Sequence, residues 1–154
     1  MKIRQATHAG SWYTDDAGTL DRELQKWLDL VPATVEEIEP AGGQVAVPIS
    51  GARAIIGPHA GYSYSGSNAA FAYKCIDTTG VKRVFLLGPS HHVYLSNKCA
   101  LSECGEYETP LGNIRIDVGV VEELRKHGDW KTMALSVDED EHSLEMHLPY
   151  IYKV

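Results

Sequence analysis

Cysteine is scarce in this chain of 154 residues: Cys75, Cys99 and Cys104 are odd in number and lack C-x-x-C spacing. Neither a disulfide framework nor a zinc knuckle is indicated. Long apolar runs are also missing. No stretch approaches the ~20 apolar residues of a membrane span, and Met1 to His8 contains no apolar core of a secretory leader. These gaps imply a cytoplasmic or nuclear setting with reduced thiols and no membrane contact. Basic residues are few and scattered, 14 Lys and Arg against 21 Asp and Glu, for a formal net charge of −7. Non-specific nucleic-acid binding needs clustered cations to displace phosphate counterions, so that class is excluded, though a small anionic ligand in a local pocket is not. Two nucleotide and hydrolase signatures fail as well. Gly61-Tyr-Ser-Tyr-Ser-Gly66-Ser67 lacks the Lys that follows the second glycine of a phosphate loop, and it lacks the last glycine of a G-x-S-x-G elbow.

What is present is an ordinary globular composition, 44% hydrophobic and 23% charged, at the length of one domain. Thr14 or Asp15 can cap a first helix whose Leu20, Leu24, Trp27 and Leu28 share one face, ending before Pro32. Residues 32–51 are acidic and rich in Pro and Gly, and read as a mobile surface insertion within the domain. Ala54-Ile55-Ile56 and Val84-Phe85-Leu86-Leu87 are short apolar runs, each stopped by Gly-Pro, with an alanine-rich helix from Ser67 to Cys75 between them. That is a βαβ pattern and predicts parallel strands. Further strands are expected at Cys99-Ala-Leu-Ser, Ile114-Arg-Ile and near Met133. A helix capped by Asp117 and a last helix from about Ser143 complete the reading. The fold class is α/β, a mostly parallel central sheet flanked by helices on both faces (an αβα sandwich). The apolar ending Leu148-Pro-Tyr-Ile-Tyr-Lys-Val154 has no helix stop signal, so the sheet is expected to be incomplete.

Two motifs are built alike, Gly57-Pro58-His59-Ala60-Gly61-Tyr62 and Gly88-Pro89-Ser90-His91-His92, and each directly follows an expected strand. Parallel strands share one C-terminal edge, where open α/β folds bind ligands, so His59 and His91 should converge on one crevice. Neutral imidazole suits both metal ligation and general-base work. His92 faces either the crevice or away from it. Tyr62 and Tyr64 either line the pocket or cover the sheet edge, and His8-Ala-Gly-Ser-Trp12-Tyr13 is either packing or an aromatic wall. Most of Asp138-Glu-Asp-Glu141 is expected to complement the positive end of the last helix. His142 is a further candidate, with Glu145 or His147 beside it.

Taken together, His8-Ala-Gly-Ser-Trp-Tyr, Pro58-His-Ala-Gly-Tyr-Ser-Tyr-Ser-Gly, Leu87-Gly-Pro-Ser-His-His and Asp138-Glu-Asp-Glu-His-Ser-Leu-Glu-Met-His-Leu-Pro-Tyr resemble the Memo family, mediators of receptor-tyrosine-kinase-driven cell motility. The motifs occur in the family's order and span nearly the whole chain. The resemblance implies a fold similar to class III non-haem extradiol dioxygenases, and a copper or iron site with His59 and His91 as ligands. It also implies an aromatic and histidine pocket including Trp12 and Tyr64, linked in the family to phosphotyrosine peptides. Family chains are roughly twice this length, so residues 1–154 correspond to the N-terminal part of a single domain. The remainder, which brings a further histidine and a cysteine, would have to come from elsewhere, for instance a second chain. The segment from Pro32 to Ser50 is unlike the short family loop.

On this reading the candidate metal ligands are His59 and His91, and the candidate catalytic residues are His59, His91 and His142. Trp12, Tyr64, Ser90 and His92 are the candidate ligand-binding residues. Three functions compete: a metal-dependent oxidase or dioxygenase-like enzyme, a phosphotyrosine-peptide or small-anion adaptor without catalysis, and a chain with no function of its own.

Overall fold

A computed structural model describes residues 2–37 and 42–154. The first helix, α1 (Ala17–Leu30), forms because three leucines recur on one face: Leu20, Leu24 and Leu28 are all buried. Each such side chain contributes about 1.5–3 kcal/mol on leaving water. Its cap is Asp16, one residue beyond the expected Thr14 or Asp15, and the Asp16 carboxylate accepts from the Thr19 amide at 2.8 Å. Short β1 (Lys2–Arg4) precedes it.

Residues 32–51 contain a two-stranded antiparallel hairpin, β2 (Thr34–Glu37) with β3 (Gly43–Ala46). Residues 38–41 of that segment lie outside the described residues. The second helix, α2 (Tyr62–Lys74), starts five residues before the expected Ser67. Gly61 caps it, and the Ser65 hydroxyl donates to the Ala60 carbonyl at 2.6 Å, so the Tyr-Ser-Tyr-Ser run is helical instead of a glycine-flanked loop.

The rest of the chain alternates short strands with short helices: β4 (Ala100–Ser102), β5 (Cys104–Tyr107), β6 (Ile114–Arg115), α3 (Val118–His127) and β7 (Lys131–Met133). Asp117 caps α3 as expected, accepting from the Val120 amide. A helix that was not expected, α4 (Leu135–Asp140), comes next, and the expected last helix is divided into α5 (His142–Glu145) and α6 (Leu148–Lys153), with Pro149 in the first turn of α6.

The chain is therefore α/β, and its helices and parallel-containing sheets are compatible with an αβα arrangement. Parallel pairing joins β1 to β5 and β4 to β7, and β6 adds to β5 antiparallel. The expected parallel strands at Ala54–Ile56 and Val84–Leu87 are not part of these ladders. A parallel strand must find its neighbours far away in sequence, and none of the described residues supplies a partner to either run.

One core forms where α1, α2 and α6 meet, from Tyr13, Leu20, Leu24, Leu28, Ala69, Ala70, Tyr73, Met146 and Tyr150. Tyr150 stacks on Tyr73 at 4.7 Å between ring centroids and donates its hydroxyl to the Gly66 carbonyl. A second, smaller core joins Cys104, Tyr107 and Leu148 beneath the β1–β5–β6 sheet. Among the described residues no helix is long and apolar enough to cross a membrane.

Candidate functional site

His59 and His91, from two loops, and His142, at the start of α5, bring one ligand nitrogen each to within 4.8 Å of one another. Glycine makes the approach of these loops feasible. A Cβ on Gly57 would lie 2.9 Å from the His147 ring, and one on Gly88 would lie 2.6 Å from the Ser143 hydroxyl. Any side chain at either position would push its loop off α5 and α6. The Ser143 hydroxyl then donates to the Pro89 carbonyl at 2.8 Å, fastening the second Gly-Pro turn to α5.

Glu141 sets the orientation of His91. Its carboxylate accepts from the His91 amide and from His91 Nδ1, both at 2.7 Å, and from the Ser143 amide at 3.0 Å. Burial alone would raise the Glu141 carboxyl, but the hydrogen bonds from His91 and Ser143 outweigh it and hold the group at about 2. An ionised Glu141 only accepts, so Nδ1 of His91 is the donor, and in the neutral ring a metal requires the lone pair is then on Nε2. His142 stacks on His91 at 4.1 Å and 22°. Burial, reinforced by the neighbouring His91, pushes His142 below the ordinary histidine value, which favours the neutral form a metal requires. His59 completes the group, 5.3 Å from the His91 ring and 5.6 Å from that of His142. Three imidazoles, one oriented by a carboxylate, fit a first-row transition metal such as copper, iron or zinc.

Trp12 walls one side, tilted against His142 at 4.5 Å, and His8 packs edge-on against Trp12 at 5.4 Å. Beneath them lies a buried ionic network. Arg4 is fully buried and donates to the Asp138 carboxylate at 3.1 Å and to Glu145 at 2.7 Å. Glu145 also receives the Tyr13 hydroxyl, the His8 amide and His8 Nδ1, each at 2.9 Å. Asp138 receives the Ser102 and Tyr107 hydroxyls. Burial, then the facing carboxylates, push Tyr13 and Tyr107 up, so both stay neutral donors.

A profile of the Memo-like protein family matches residues 4–154. The chain belongs to the Memo family. It is 50% identical over 150 residues to Protein MEMO1 of Homo sapiens and equally so to that of Mus musculus, covering 97% of this chain and 46% of each relative. Against the memo-1 homolog of Caenorhabditis elegans it is 47% identical over 151 residues, 39% of that protein. The chain thus spans less than half the length of the curated relatives it matches.

Of the residues that pointed to this family, His59, His91, His142 and Trp12 gather at one place. His92 lies at the edge, its ring 6.4 Å from His142. Ser90 is exposed and donates its hydroxyl to the Val93 carbonyl within its own loop. Tyr64, in the first turn of α2, is 82% exposed and makes none of the ring contacts of the cluster. Tyr62 is a core residue whose hydroxyl donates to the Met146 carbonyl. His147 is not one of the three clustered imidazoles and shares a 2.8 Å hydrogen bond with Tyr73.

The helix-dipole role expected for Asp138 to Glu141 is corrected. Asp138 sits within α4 and pairs with Arg4, and only Glu141 caps a following helix. Two contributors left no local trace in the sequence. Glu141 is 50 residues from His91, and Arg4 is 134 and 141 residues from its two carboxylates.

Proposed function

We propose that this Memo-family chain binds a copper or iron ion through His59, His91 and His142, as part of a metal-dependent redox or signalling role in cell motility. The observation that carries the reading is the convergence of three imidazole nitrogens within 4.8 Å. The His91–Glu141 pair supports it, because a carboxylate behind a ligating histidine fixes tautomer and orientation. Such an ion would supply one-electron or Lewis-acid chemistry, and Trp12 and His8 would shape and shield the space beside it. The implied setting is cytoplasmic, extending to the nucleus.

Anaerobic calorimetric titration with Fe(II) and with copper tests this. One ion per chain is expected, with binding lost in His59→Ala and in His91→Ala, and weakened about tenfold or more, roughly 1.4 kcal/mol, in His142→Ala. A folded chain that takes up neither metal, or uptake indifferent to His59→Ala, would overturn the proposal.

A second reading, a phosphotyrosine-peptide or small-anion adaptor, is favoured by the Trp12 ring tilted against His142 at 4.5 Å. It requires protonated imidazoles in place of metal-bound ones. Peptide affinity that rises below pH 6 and falls in Trp12→Ala would support it over the metal reading.

A further inference from the structure

The larger core is built from tyrosine where phenylalanine would fill the space as well. Tyr13, Tyr62, Tyr73 and Tyr150 are all buried in it, whereas both phenylalanines of the chain, Phe71 and Phe85, are exposed. A buried ring needs no hydroxyl to pack, and each hydroxyl brought inside must be given a hydrogen-bond partner. The four rings form a row. Tyr13 lies 5.3 Å from Tyr62, Tyr62 5.9 Å from Tyr150, and Tyr150 4.7 Å from Tyr73, centroid to centroid. At such separations an electron passes between rings in short hops. The hydroxyl partners differ along the row. Those of Tyr62 and Tyr150, in the middle, are the carbonyls of Met146 and Gly66, which take no proton. Those at the two ends are bases: Tyr13 donates to the Glu145 carboxylate at 2.9 Å, and the Tyr73 hydroxyl lies 2.8 Å from Nδ1 of His147. Burial pushes His147 down, so its ring is neutral and can accept there. The Tyr13 end adjoins the histidine cluster, because the same Glu145 holds His8, whose ring is 6.0 Å from that of His142. Trp27, half-buried, stands edge-on to Tyr62 at 5.9 Å.

We propose that this row is a one-electron relay, in which Tyr13 yields an electron to an oxidant at the histidine site and the resulting hole passes through Tyr62 and Tyr150 to Tyr73. The relay rests on the metal reading for its oxidant, a peroxide with a ferrous ion. One electron from the ion and one from Tyr13 reduce hydrogen peroxide to two waters, with two protons drawn from solvent. As its electron leaves, the Tyr13 O–H bond breaks and the proton passes to Glu145, which lies within the reach a proton transfer needs. In the second step Tyr13 regains an electron from Tyr73 and its proton from Glu145, while the Tyr73 proton passes to His147 Nδ1. The oxidising equivalent thereby leaves the metal-binding imidazoles for the core.

Pulse radiolysis of the metal-free chain tests the row itself. Azide radical takes one electron from tryptophan, and Trp27 is placed to pass the hole to Tyr62. The tryptophan radical should decay as a tyrosyl radical grows, at a rate independent of protein concentration. The double variant Tyr13→Phe/Tyr73→Phe keeps both rings, removes the two hydroxyls that have bases, and should cut this phase at least tenfold. Tyr62→Phe should slow it at least tenfold, and it decides alone if near-UV circular dichroism shows the double variant unfolded. Tyr94→Phe and Tyr152→Phe, at exposed rings outside the row, should change nothing. Absence of the phase, or a phase indifferent to either variant that folds, would overturn the relay whether or not the chain binds iron. A second arm examines the head of the row. In a chain that calorimetry shows to hold iron, peroxide should leave a tyrosyl signal in electron paramagnetic resonance that falls at least tenfold in Tyr13→Phe while iron uptake is unchanged. No signal, or one equal in the two chains, would overturn the place of Tyr13. A chain that holds no iron would overturn the metal reading and the first step with it, and radiolysis would still decide the row.

Discussion

Arg4 is the residue on which the interior beneath the site depends. One guanidinium serves two carboxylates, Asp138 and Glu145, and all three side chains are fully buried. Removing the cation leaves two buried acids without their partner, a change that typically costs about 3–5 kcal/mol. Arg4→Ala should show a loss of that size in urea unfolding, and Arg4→Lys should recover little, since an ammonium cannot reproduce the forked contacts. A loss under 1 kcal/mol would mean the carboxylates are satisfied without Arg4. Glu141 makes a different prediction at the same scale. Its folded carboxyl titrates at about 2, below the ordinary 4.5, so its stabilising contribution is complete above pH 4.5 and is lost as pH falls towards 2. With His91 partly open to water, that contribution is about 1–2 kcal/mol. In the metal-free chain, Glu141→Gln should flatten the decline of stability between pH 4.5 and 2. An unchanged slope there would remove Glu141 as its source.

At the scale of elements, α1 was legible because its leucines repeat locally at 3.6-residue spacing and Pro32 follows its end. The start of α2 was not, because serine, tyrosine and above all glycine are weaker helix formers than alanine, and burial of Tyr62, Ser65 and Gly66 against neighbouring elements overrides that preference. The Gly-Pro-His motifs were legible as a converging pair, since their likeness is visible without any structure. The role of their glycines was not, because it depends on His147 and Ser143, far along the chain. That contact predicts an asymmetry among glycines. Gly88→Ala should destabilise by about 1–3 kcal/mol through the clash with Ser143 and loosen His91. Gly119→Ala in α3, where the added Cβ meets only the Asp117 carboxylate at 3.4 Å, should instead stabilise by up to about 1 kcal/mol. Thermal unfolding of the two variants beside the parent chain measures both signs, and a neutral Gly88→Ala would show that the loop-to-α5 approach is not tight.

Across the whole molecule, the histidine cluster joins segments far apart in the chain. Residues 54–57 lead into His59 and residues 84–88 lead into His91, with only a Gly-Pro turn between each run and its histidine. An ion held by His59, His91 and His142 would tie both Gly-Pro turns to α5 in the folded chain alone. A ligand that binds the folded state and not the unfolded one stabilises it by mass action, by about 2.7 kcal/mol at a free concentration a hundredfold above its dissociation constant. Saturating Fe(II) should therefore raise the thermal midpoint of the parent chain, and His59→Ala and His91→Ala should each abolish the rise. A midpoint that does not move while calorimetry reports Fe(II) uptake would mean that the ion is held as well by the unfolded chain as by the folded one.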